Sequence, residues 1–93
     1  VERHGSEDRA RLEVRAALAQ RSAAAQRLEI AKTAVDQARE TQRIIRDRYD
    51  NGMADVVALL RAAEALSGAE AQRISAGSDL AAQQAALELA LGR

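Results

Sequence analysis

Apolar residues recur along this chain at spacings of three and four, the period of a helix buried along one face. No Pro or Gly interrupts the stretch from Ser6 to Tyr49, and the pattern predicts a first helix over about 6–49. Ser6 is placed as an N-cap ahead of Glu7 and Asp8, acids that the helix dipole favours in a first turn. Asp50-Asn51-Gly52 reads as a turn, with Asn51 and Gly52 both suited to positive φ. After a turn over about 50–54, Asp55 caps a second helix over about 55–91, and Leu59 is spaced to staple back onto Met53 or Ala54. Gly92 suits the position just past a helix end. Gly68 and Gly77 lie inside the second helix at ~1 kcal/mol each relative to Ala. The expected fold is all-α: one long antiparallel coiled-coil hairpin over 1–93, its first helix roughly 65 Å long at ~1.5 Å per residue.

The heptad assignment says which faces meet. In the first helix Val14, Arg21, Leu28, Val35, Gln42 and Tyr49 take the a positions, and Ala17, Ala24, Ala31, Ala38 and Ile45 the d positions. In the second, Leu59, Leu66, Arg73, Leu80 and Leu87 are a, and Ala62, Ala69, Ala76, Gln83 and Ala90 are d. Both helices thus carry mostly large residues at a and mostly alanine at d, a coiled-coil pattern. Folding the chain back on itself about Gly52 sets Leu66 against Ala38, Leu80 against Ala24 and Leu87 against Ala17. In the opposite sense Val35 meets Ala69, Leu28 meets Ala76 and Val14 meets Ala90. Large faces small in each layer, and Arg21 falls opposite Gln83 as a polar layer able to fix register.

A second apolar stripe lies off this seam: Leu12, Ala16, Ala19, Ala23, Ile30 and Ile44 on the first helix, and Met53, Leu60, Ile74 and Ala81 on the second. A lone hairpin leaves that stripe in water, which favours further association. A four-helix bundle, a dimer and a closed ring of helices each satisfy it.

Composition narrows the picture. About a quarter of the residues are alanine, only 1% are aromatic, and Phe, Trp and Pro are absent. At ~0.8 kcal/mol per buried methylene-sized group, such a chain makes a thin seam and no thick interior. Fourteen basic and fourteen acidic residues cancel, which argues against a general binder of nucleic acid or of anionic membranes. Without cysteine there is neither a disulfide framework nor a thiolate metal site. No apolar run is long enough to span a bilayer as a helix. The start at Val1 shows no apolar leader segment and no initiator Met, and the sequence reads as a fragment.

Catalytic chemistry has few carriers. His4 is the sole imidazole and is expected in a fraying end. Asp36 and Glu40 lie one turn apart but are followed by Arg39 and Arg43, the pattern of an ion-paired solvent face. No phosphate loop, nucleophile elbow or carboxylate dyad occurs, so no catalytic residue, metal ligand or cofactor is expected and an enzyme is disfavoured. Arg39, Arg43 and Arg46, with Arg48 close by, form a basic stripe before the turn. A solvated helix face explains it better than a docking patch. Tyr49, the sole aromatic, either closes the last layer over Ile45 and Leu59 or stands exposed as a partner contact.

The run Arg48-Tyr49-Asp50-Asn51-Gly52-Met53-Ala54-Asp55-Val56-Val57-Ala58-Leu59-Leu60-Arg61-Ala62 closely resembles the tip motif of TolC-like outer-membrane factors, the outer membrane efflux proteins. In that family Arg-Tyr-x-x-Gly-Leu-Ala-Ser/Thr leads into a helix reading x-x-Asp-Val-Leu-x-Ala. The likeness continues to Ala90-Leu91-Gly92, similar to the Ala-Leu-Gly that ends the family's repeat. The resemblance implies a homotrimeric export duct, with a β-barrel in the outer membrane and a periplasmic α-barrel whose wall is built from such hairpins. It further implies that the tip docks a periplasmic adaptor, the membrane-fusion component that links the duct to an inner-membrane pump. By position Tyr49, Gly52, Met53 and Ala54 fall in that contact, and Asn51 and Asp55 shape and cap it.

The chain departs from the family at two places. The family often has Asp where Ala58 stands, and members with an acidic pore constriction have another where Arg61 stands. A ring of aspartates is not expected here, and Arg61 becomes a candidate pore-facing residue that would favour anions. No alternating segment of ~10 residues is present to supply barrel strands. The alternative from the residues alone is a stand-alone hairpin that dimerises into a four-helix bundle.

Overall fold

The computed structural model describes residues 2–92, with side chains from residue 5 to residue 92. The two helices are α1 (Glu2–Asp50) and α2 (Val56–Ala90), and no strand occurs among the described residues. They form the all-α antiparallel hairpin that the periodicity predicts. The chain divides into two compact units: Val1–Leu28 with Ala76–Arg93, and Glu29–Ser75.

In the unit Glu29–Ser75, the buried positions are Ala31, Val35 and Ala62. Ala38, Gln42, Ile45, Leu59, Leu66 and Ala69 are half-buried. Every one of these is an a or d position; Lys32, Ala34, Ala58 and Ala63, which flank the seam, and Ala54 in the turn are half-buried as well. An ion pair joins the two helices in this unit, between Arg39 Nη2 and Glu70 Oε1 at 3.7 Å. Arg39 directly follows the d residue Ala38 and Glu70 directly follows the d residue Ala69, so the bridge flanks the seam.

The unit of Val1–Leu28 with Ala76–Arg93 repeats the scheme. Ala24, at 0% exposure, and Ala76 are its buried residues; Val14, Ala17, Leu28, Leu80, Gln83 and Leu87 are half-buried, as are Ala23, Ala25 and Gly77 beside the seam. Of the buried residues in both units, four of five are alanine, which is the thin seam expected from composition. Alanine at d lets the facing Leu or Val lie against backbone as well as side chain, and that contact replaces the missing bulk. The assignment fails at four positions: Arg21, Tyr49, Arg73 and Ala90 are exposed. An arginine keeps its guanidinium in water by turning its stem along the seam edge, because burying an unpaired charge costs far more than the methylenes gain.

Two local expectations are corrected. Helix α1 begins at Glu2 rather than at Ser6, so Ser6 is an exposed residue of the helix and not its N-cap. Carrying the helix back through Gly5 costs ~1 kcal/mol relative to Ala but adds a backbone hydrogen bond for each residue fixed. Asn51 does not take positive φ; only Gly52 does at this turn, with φ 74°.

The second apolar stripe stands in solvent except at Ala23, which is half-buried: Leu12, Ile30, Met53, Leu60 and Ile74 are each more than half exposed. Gly68 and Gly77 have open space where a side chain would project, with no atom within 4 Å. Both are within α2 and neither has positive φ. Gly68→Ala and Gly77→Ala are therefore expected to raise stability by about 0.5–1 kcal/mol each. Urea melts followed by circular dichroism check this, and a loss of stability from either change would show that its face is occupied.

Candidate docking site at the helix–helix turn

The turn between α1 and α2 is built entirely from residues of one unit, and each of its polar backbone groups near the helix ends has a partner to find. At the end of α1, the Gly52 amide donates to the Tyr49 carbonyl at 3.0 Å and the Met53 amide to the Arg48 carbonyl at 2.7 Å. This pair of crossed bonds around a glycine at positive φ is a Schellman cap. Asn51 adds a second element. Its backbone amide and its side-chain Nδ2 both donate to the Asp47 carbonyl, at 3.1 and 2.8 Å. Three consecutive terminal carbonyls of α1 are thus satisfied, and the direction in which the chain leaves the helix is fixed.

Asp55 starts α2. Its Oδ1 accepts from the Ala58 amide at 2.9 Å, and its carbonyl accepts from the Leu59 amide at 3.3 Å. That is the capping geometry expected from sequence, with Asp supplying negative charge at the positive end of the dipole. Ala54 and Leu59 are both half-buried.

Between the two caps the surface is apolar. Tyr49 is 42% exposed and Met53 71%, so the tyrosine does not close the last layer as a buried residue. Val56, Val57 and Leu60 are also about half exposed. Of these three, the heptad pattern puts only Leu60 in the outward stripe. Val56 and Val57 were legible as well, since neither occupies an a or d position and their helix begins at the cap. Asn51, Gly52 and Asp55 are exposed and carry the hydrogen bonds just described. Arg61 is exposed, two turns into α2.

The basic stripe on α1 is partly neutralised. Arg43 forms a forked bond to Glu40, with Nη2 at 2.6 Å from Oε1 and Nε at 3.1 Å from Oε2, and Arg39 is bridged to Glu70. The hydrogen bond from Arg43, together with its charge, holds the Glu40 carboxyl below the usual carboxylate range. The same partner pushes the Arg43 guanidinium up. A depressed carboxylate contributes above its ordinary pKa and loses that contribution as acid protonates it. Both groups lie in water, so the pair contributes little. Arg39, Gln42, Arg43 and Arg46 line only a shallow groove, which fits a solvated face. His4 lies outside the residues whose side chains are described. Among the described residues no three His, Cys, Asp or Glu side chains lie together as a metal site would require, and no helix is long and apolar enough to cross a membrane.

These features define a class: a helical hairpin with an alanine-rich seam, a doubly capped tip and an exposed apolar stripe. The chain belongs to the outer membrane efflux protein family, whose model matches residues 2–93. That family is one of transport channels rather than enzymes, and the chain is a component of an outer-membrane efflux protein. Comparison with curated proteins and with solved structures gives no significant match in either case.

Proposed function

We propose that this chain is a periplasmic hairpin of an efflux duct, that its flanks wall the exit channel, and that its tip docks a periplasmic adaptor. In the full-length protein three copies assemble, and hairpins stand side by side in a ring. The observation that carries the docking half of this reading is the apolar surface of Tyr49, Met53, Val56 and Val57, displayed on a turn whose backbone is pinned by caps on both sides. A pre-ordered apolar tip loses little conformational entropy on binding, and central aromatic and methionine side chains are favoured anchors. The second stripe supports the wall. Leu12, Ile30, Leu60 and Ile74 would be covered by neighbouring helices, and the small residues around them would let those helices slide during opening.

Met53→Asp tests the docking. Its side chain is in water, so helicity and melting temperature should stay within experimental error of wild type. Affinity for the adaptor, measured by calorimetry, should fall tenfold or more, because a desolvated carboxylate would sit in an apolar contact. Wild-type affinity would reject the tip as the docking surface.

Arg61 takes the pore-facing role in this reading, where its charge sets a positive local field. Arg61→Asp should shift single-channel selectivity of the assembled duct from anions toward cations. Unchanged selectivity would place Arg61 away from the lumen.

A further inference from the structure

We infer that Asn51-Gly52 is a deamidation site held closed by the tip's own hydrogen bonds, and that its conversion, when the turn opens, places a carboxylate at the C-terminus of α1. Asn51 is the only asparagine in the chain. It precedes a glycine, and an asparagine side chain is attacked fastest by the backbone nitrogen of a following residue that has no side chain to hinder it. Glycine is required at position 52 for a different reason, φ 74°. The conformational demand of the turn thus creates the chemical liability next to it. The amide is exposed to water.

The reaction needs no reagent beyond water. The Gly52 nitrogen loses its proton and attacks Asn51 Cγ; a C–N bond forms, the Cγ–Nδ2 bond breaks, and Nδ2 leaves as ammonia carrying that proton. The cyclic imide that results is opened by water at either carbonyl, giving aspartate or isoaspartate. Net, one amide and one water become one carboxylic acid and one ammonia.

The folded tip opposes each step. The attacking nitrogen keeps its proton in a 3.0 Å bond to the Tyr49 carbonyl. The leaving nitrogen is held on the Asp47 carbonyl at 2.8 Å, and the Asn51 backbone amide is tied to the same oxygen at 3.1 Å. Rotation of the side chain toward the Gly52 nitrogen breaks the 2.8 Å bond, and freeing the attacking nitrogen breaks the 3.0 Å bond. Reaction therefore proceeds from locally opened tips. The product cannot re-form the side-chain bond that closes the tip. A carboxylate has no donor for the Asp47 carbonyl, its charge opposes the dipole at a helix C-terminus, and Asp47, Asp50 and Asp55 already surround it in sequence.

Because Asn51 is the sole asparagine, a gain of about one dalton in intact mass, with isoaspartate detected in the tip peptide, reports the event. The chain is incubated at mildly alkaline pH, native and unfolded in urea. Conversion in the native chain should be tenfold or more slower than in the unfolded one. Equal rates would overturn the protective role of the cap, and no conversion in urea would overturn the site itself. Asn51→Asp, a stand-in for the product, should lower the melting temperature of the native chain; an unchanged value would overturn the claim that the side-chain bond to the Asp47 carbonyl helps to hold the tip. None of these readouts involves an adaptor, so the inference stands or falls apart from the docking proposal.

Discussion

Leu66→Asp is expected to lower the melting temperature of this chain by about 10–20 °C, and Leu80→Asp by a similar amount. The leucines sit half-buried at a positions of the two separate units. The heptad pattern sets each against an alanine, Ala38 and Ala24 respectively. Removing the leucine forfeits its packing, and the aspartate adds a charge with no partner in an apolar layer, together about 2–4 kcal/mol. In a seam whose buried residues are nearly all alanine, few other contacts can absorb that loss. Ile74→Asp is the control: Ile74 is 70% exposed, and the change should shift stability by less than about 0.5 kcal/mol. Thermal melts followed by circular dichroism compare the three. A Leu66→Asp chain that melts with wild type would show that the helices pair through another face.

The second large effect falls on Gly52. Gly52→Val should destabilise the tip by about 2 kcal/mol or more, and Gly52→Ala by about 1–2 kcal/mol. The space at this position is open, with no atom within 4 Å of where a side chain would begin, so packing contributes nothing. The whole cost is the positive φ, which a β-branched residue tolerates least. Gly68→Ala has the same open surroundings and the opposite sign, because its backbone is helical. Hydrogen exchange at the Gly52 and Met53 amides should accelerate in Gly52→Val before any global change is seen, and adaptor affinity should fall with it. Wild-type exchange and affinity would mean that the cap is not what orders the tip.

Much of this architecture was legible because it is nearly one-dimensional. The seam depends on a heptad period, and a period can be counted in a sequence without knowing the partner strand by strand. Val35, Ala24 and Ala62 are buried because they recur on one face. Asp55 caps because its short carboxylate lies before a run of apolar helix formers, and Gly52 turns because no other residue there has its freedom. Where the reading failed, the competing effects were local and balanced. Ser6 offers a cap worth ~1 kcal/mol, about the same as Gly5 costs in a helix, and the continuing hydrogen-bond ladder decided in favour of Glu2.

Sequence alone determined that the chain is helical, where it reverses, and which stripe of each helix the other covers, since periodicity, turn chemistry and capping all act within a few residues of one another. Tertiary structure decided the rest. Only the antiparallel approach of the helices brings Arg39 to Glu70. Only the path of the chain around Gly52 lets Asn51 reach the Asp47 carbonyl instead of adopting positive φ. The same path turns Tyr49, Met53, Val56 and Val57 outward together. Each of these outcomes depends on where a side chain ends after the backbone has folded, and a residue's place in a heptad constrains its face but not its partner.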